Sequence, residues 1–154
     1  MQYQRFGGAQ ITKVAVATGP GSFTGLRVGV SFGLGLAIGL KAPIVPLRTL
    51  EVQAARSDES VLAVSEAGRG RVYYLSPGQA PSVGEPRDLP KEHEVVGWLR
   101  PQTERSLLDA GLRFRPENEL RSYAEAARHL LESAREVPYA SLELEYMQSF
   151  AARV

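Results

Sequence analysis

Apolar and polar positions alternate between short strand-like runs and longer helix-like ones. Lys13–Thr18 (KVAVAT) is valine-rich and short, which predicts a buried strand closed by the turn Gly19-Pro20-Gly21. Ser22 or Thr24 then caps a helix that runs to about Leu40, where Lys41 suits the negative helix end and Pro43 stops continuation. Ile44-Val45-Pro46 is a second short apolar segment, and Leu50–Arg56 a second helix. Val61–Ser65 and Val72–Leu75 read as paired strands around Gly68-Arg69-Gly70. Pro77–Pro90 is a proline-rich loop, Val95–Leu99 a strand and Thr103–Ala110 a short helix. Over Glu117–Arg135 the apolar residues Leu120, Tyr123, Ala127, Leu130, Leu131 and Ala134 recur at the spacing of one buried helix face, predicting a single amphipathic helix. Leu142–Met147 reads as a late extended segment. The order strand–turn–helix–strand, then hairpin and further helices, is an α/β pattern. Composition shifts near Ser57–Ser60, which divides the chain into a first lobe, residues 1–57, and a second, residues 58–154, whose C-terminal segment is expected to return to the first.

The helix after the Gly-Pro-Gly turn is the anomaly. Residues 19–40 carry seven of the chain's fifteen glycines, and each glycine in a helix interior costs about 1 kcal/mol relative to alanine. Gly25, Gly29, Gly33 and Ala37 stand four apart and are expected to line up as a ridge without side chains, flanked by Phe32 and Leu36. Such a ridge lets another backbone come close, either the chain's own sheet or a helix of another subunit.

Charge sharpens this only slightly. The chain has a formal net charge of +1 and no cysteine, so disulfides and thiolate chemistry are excluded and a reducing compartment is expected. Residues 1–50 contain Arg5, Lys13, Arg27, Lys41 and Arg48 and no acid. That segment is either largely buried or offers a basic face to RNA or an acidic partner. The uncharged run from Val28 to Leu40 is shorter than the roughly 20 residues of a membrane span, so no membrane is expected, and the first ten residues do not read as a signal peptide.

Catalytic constellations are sparse. The glycines do not fit the phosphate-cradling patterns, because Thr24 stands where a dinucleotide fingerprint wants Gly or Ala. His93 and His129 stand far apart, in no metal-ligand spacing. Ser22 lies in GPGSFTG rather than in a nucleophile elbow, and helix capping is its expected role.

The stretch Thr18–Gly29 (TGPGSFTGLRVG) closely resembles the signature of the TsaB (YeaZ) family, bacterial proteins needed to make the threonylcarbamoyladenosine of certain tRNAs. Val45–Leu50 (VPLRTL) resembles that family's strand-to-helix segment, and Val61–Tyr73 (VLAVSEAGRGRVY) its second-lobe hairpin, with Glu66 where the family usually has Asp. Leu144-Glu145-Tyr146-Met147 is a looser match to the closing motif. The resemblance implies a two-lobed fold of the actin, Hsp70 and sugar-kinase (RNase H-like) class. It also implies a non-catalytic, cytoplasmic subunit without cofactor or metal, which dimerises in isolation and pairs with a TsaD-like transferase that works with a TsaE-like ATPase, so that tRNA is met indirectly. Carried onto this sequence, the subunit contact falls on Phe23, Gly25, Leu26, Gly29, Phe32, Gly33 and Leu36. Family members have further strands and a helix before GPGSFTG, where this sequence has eighteen residues, so the first lobe is expected to be incomplete. Two other readings remain: a nucleotide-dependent phosphotransferase or hydrolase of the same superfold, which would need an acid to hold Mg²⁺, and a degenerate relative without the subunit role.

Overall fold

The structure, a computed structural model, describes residues 10–144. Strand β1 (Val14–Ala17) and strand β2 (Ile44–Leu47) pair in parallel, with Val14 opposite Ile44 and Ala17 opposite Leu47. Parallel neighbours need a long crossover, and helix α1 (Phe23–Leu40) supplies it. The helix starts because the Ser22 hydroxyl accepts the Gly25 N–H, and it ends because Lys41 turns into the left-handed region at φ 54°, its N–H meeting the carbonyls of Ala37 and Ile38. Leu26, Val30, Gly33 and Ala37 form the buried stripe of α1. Gly33 sits over β1 so closely that a Cβ there would run into the Val16 side chain.

Helix α2 (Thr49–Ala54) leads to a four-stranded sheet, whose strands are β3 (Leu62–Gly68), β4 (Arg71–Leu75), β5 (Ser82–Gly84) and β6 (Val95–Val96) in the spatial order β5–β4–β3–β6. β3 and β4 form the antiparallel hairpin expected from Val61–Tyr73, with a register shift between Glu66 and Gly68. β5 adds antiparallel to β4, and β6 parallel to β3. One face of this sheet packs Leu62, Val64, Val72 and Val95 against Leu99, Leu107 and Leu112, Leu107 coming from helix α3 (Pro101–Asp109). The other face packs Ala63, Ala67 and Tyr73 against Leu50 of α2.

After α3 the chain returns to the first sheet. Helix α4 (Tyr123–Leu131) packs against α2 and β2. Val137 forms an antiparallel bridge with Ile44 on the outer side of β2. The Tyr139 hydroxyl then reaches the Ala42 carbonyl at 2.6 Å and the Ala37 carbonyl at 3.3 Å, next to the C-terminal end of α1.

Two expected elements are shorter than their apolar patterns suggested. Glu117–Arg135 is not one helix: Glu117–Glu119 is a single 3₁₀ turn, Leu120 is extended, and α4 begins only at Tyr123. The reason is local, since Ser122 and Glu125 form a reciprocal capping box that fixes the start. The strand expected over Val95–Leu99 pairs only at Val95–Val96; just beyond, Gly97 lies against the Val64 carbonyl, where no side chain fits. A 3₁₀ turn over Tyr139–Ser141 precedes the late segment, whose residues 145–147 lie outside those described.

Candidate interaction surface

The Gly-Pro-Gly turn carries the chain from β1 into α1 and is held from three directions. The Thr18 hydroxyl donates to the Leu47 carbonyl at 3.3 Å. Thr49 at the start of α2 clamps Gly19 twice: its hydroxyl accepts the Gly19 N–H at 3.1 Å, and its N–H donates to the Gly19 carbonyl at 2.9 Å. From the second sheet, the Ser65 hydroxyl donates to the Pro20 carbonyl at 3.1 Å. Gly19 takes φ 108°, a conformation glycine adopts without strain, and the Gly19–Pro20 peptide is cis.

Beyond the turn, α1 presents an outward surface that is nearly free of charge. Phe32 is 72% exposed, Val28 64% and Ile38 55%, and Phe23 is exposed at the helix start with the Arg27 guanidinium 4.0 Å from its ring centroid. Among the described residues, nothing outside their own helix lies within 4 Å of where a Cβ of Gly29, Gly35 or Gly39 would stand.

Of the seven residues the sequence points to, Phe23, Gly25, Gly29 and Phe32 lie on the exposed side, Leu36 is half-buried, and Leu26 and Gly33 face inward. The ridge Gly25–Gly29–Gly33–Ala37 is therefore not a single surface. Four residues advance 400° in an α-helix, so an i, i+4 row winds about 40° per step and about 120° over three. Gly33 and Ala37 close on β1, whereas Gly29 opens to solvent. The exposed Val28, Gly35, Ile38 and Gly39 complete the outward face and were missed. They were legible as the complement of Leu26, Val30, Gly33 and Ala37, whose 4-3-4 spacing marks the inward stripe. By length and composition α1 is also apolar enough to cross a membrane, although its inward stripe packs on the sheet.

Elsewhere, described charged side chains pair with one another. Arginines join the stretch after α2 to the approach to α4. Arg56, with a side chain only 4% exposed, donates through Nε to the Arg121 carbonyl at 2.9 Å, pairs with Glu117 and stacks 4.2 Å from the Tyr123 ring centroid. Arg121 donates to the Ala55 carbonyl and pairs with Asp58; Arg115 meets Glu59 at 2.9 Å, Glu94 at 3.4 Å and Glu119 at 3.5 Å. The hydrogen bond from Arg121 holds the Asp58 carboxyl below its ordinary value, Arg115 does the same for Glu59, and Glu59 in turn raises Arg115. Among the described residues no three His, Cys, Asp or Glu side chains gather as a metal site.

Known proteins resemble this chain. A sequence profile of the family described as "TsaD: tRNA N6-adenosine threonylcarbamoyltransferase" matches residues 2–97. The Haemophilus influenzae tRNA threonylcarbamoyladenosine biosynthesis protein TsaB is 37% identical over 70 residues, 42% of this chain and 30% of that protein. Its Bacillus subtilis namesake is 41% identical over 66 residues, 41% of this chain and 29% of that protein. The matches thus span less than a third of these curated relatives' length. The solved structure of YeaZ from Pseudomonas aeruginosa superposes with a TM-score of 0.62 at 19% identity, over 88% of this chain and 73% of that one. That likeness shows the fold: the actin-like, RNase H-like α/β class.

Proposed function

The chain belongs to the TsaB (YeaZ) family, and from that membership we propose that it serves the biosynthesis of threonylcarbamoyladenosine in tRNA as a non-catalytic scaffold. It pairs through the outward face of α1 with a TsaD-like transferase, in a cytoplasmic complex that also engages a TsaE-like ATPase, and it forms a homodimer when alone. tRNA is met by the complex rather than by this chain in isolation.

The observation that carries the reading is the outward face itself. Phe32 and Val28 are mostly exposed, and Gly29, Gly35 and Gly39 weaken the helix while meeting no neighbour among the described residues. Exposed apolar surface of this kind marks a contact with another macromolecule, and side-chain-free positions let that partner's backbone come close. Light scattering behind a sizing column, on the chain alone and mixed with a TsaD-like subunit from the same genome, tests the proposal. A homodimer that converts to a stoichiometric mixed complex is expected. A monomer that ignores that subunit overturns it.

A further inference from the structure

The geometry points to Ser65 as a positioning residue that sets the start of the docking helix from the opposite lobe; the inference rests on the docking role of α1 proposed above. Ser65 lies on β3 and shares a face with Ala63 and Ala67, the face that packs against Leu50 of α2. A hydroxyl among small apolar side chains is costly to bury without a partner, and Ser65 is buried. Its partner is the carbonyl of Pro20, 45 residues earlier and on the other lobe. Pro20 is itself fully buried, so its carbonyl has to find a donor inside the protein. Two residues later Ser22 caps α1.

The other side-chain anchors of the turn, Thr18 and Thr49, belong to the first lobe. Ser65 therefore makes the cross-lobe contact, and it stands on a firm base. The next residue, Glu66, accepts the Arg100 N–H at 2.9 Å and has the Arg100 guanidinium at 3.6 Å, which ties this end of β3 to the segment after β6. The Ser65 hydroxyl thus links β3 directly to the turn, beside the packing of Leu50 on the same strand, and the turn leads to the residues that open α1: Phe23, Gly25 and Arg27. Ser65 acts on docking through the turn, by its bond to the Pro20 carbonyl.

The test combines amide exchange in the isolated chain with titration of the TsaD-like subunit. Ser65→Ala leaves the Pro20 carbonyl without its donor. Exchange at the amides of Gly25, Leu26 and Thr49 is expected to rise about tenfold, with the dissociation constant rising by a similar factor, while amides of β4 and α4 stay unchanged. Ser65→Thr, which keeps the hydroxyl in a strand-compatible residue, restores both. Where Ser65→Ala fails to fold, Ser65→Cys, a near-isosteric but weaker donor, is read in its place. Unchanged exchange in a folded Ser65→Ala overturns the latch whatever the partner does. Faster exchange with undiminished affinity overturns the positioning role. If the wild-type chain binds no TsaD-like subunit, the docking reading fails on its own, and with it the claim that Ser65 serves docking, while the exchange data still report on the turn.

Discussion

Helices α1 and α4 flank the same small parallel sheet and could hardly differ more. α4 is nine residues long, opens with a reciprocal capping box, carries Glu125, Arg128 and His129, and is the ordinary amphipathic kind, with polar side chains in water. α1 is twice as long, has Arg27 as its one charged residue, and holds five glycines. Packing accounts for one of those glycines: Gly33, where a side chain would collide with Val16. Gly29, Gly35 and Gly39 have no such reason within the described fold, yet each lowers helix stability by about 1 kcal/mol relative to alanine. The contrast teaches where to look for function. The described fold accounts for α4; it leaves unused the apolar, side-chain-poor face of α1 on which the docking proposal rests.

The two faces of α1 separate under substitution. The largest effect is expected at Gly33. Gly33→Leu forces a bulky side chain into the space held by Val16 and Val14, and overpacking of this severity costs about 3 kcal/mol. Urea unfolding is the check. A Gly33→Leu protein as stable as the wild type would mean that α1 does not seat on β1 as described.

The smallest effect concerns the approach to α4, which leans on charge where α1 leans on apolar contact. Arg121 and Arg115 hold the Asp58 and Glu59 carboxyls below their ordinary values. Groups with a depressed folded-state pKa contribute stability that is present above the unfolded value, about 4, and is lost as pH falls through the folded value. Urea midpoints should therefore fall as pH drops below about 4, and Asp58→Asn with Glu59→Gln should flatten part of that slope. An unchanged slope in the double variant would remove these two pairs from the account. Both carboxylates are exposed, so the effect is modest.

Much of this was legible in the sequence. KVAVAT, the Gly-Pro-Gly turn and the hairpin around Gly68-Arg69-Gly70 follow from short-range chemistry, and the structure places them where the residues indicate. What the pattern missed depends partly on a local capping box and partly on partners distant in sequence. Leu120 fits the periodicity of α4, yet it lies outside that helix because Ser122 and Glu125 fix the start and Arg121 is drawn to Ala55 and Asp58. Arg56 reads as a helix-end cation, yet it is buried under Tyr123, 67 positions further on. The ridge of α1 was half legible: the glycines were visible, but the drift of an i, i+4 row hid that Gly33 and Gly29 serve different surfaces. Ser65 carried no signal, since nothing local tells a hydroxyl bonded to a carbonyl 45 residues away from one facing water.

The most direct test of the outward face is Gly29→Leu, titrated against the TsaD-like subunit. Gly29 has open space around it and leucine is the better helix former, so the variant should fold and melt no lower than the wild type. The account predicts that its affinity for the subunit nonetheless falls by at least about 100-fold, a loss of roughly 2.7 kcal/mol, because a side chain now stands where the partner's backbone must approach. A folded Gly29→Leu chain that binds as tightly as the wild type would contradict the claim that this face of α1 is the docking surface.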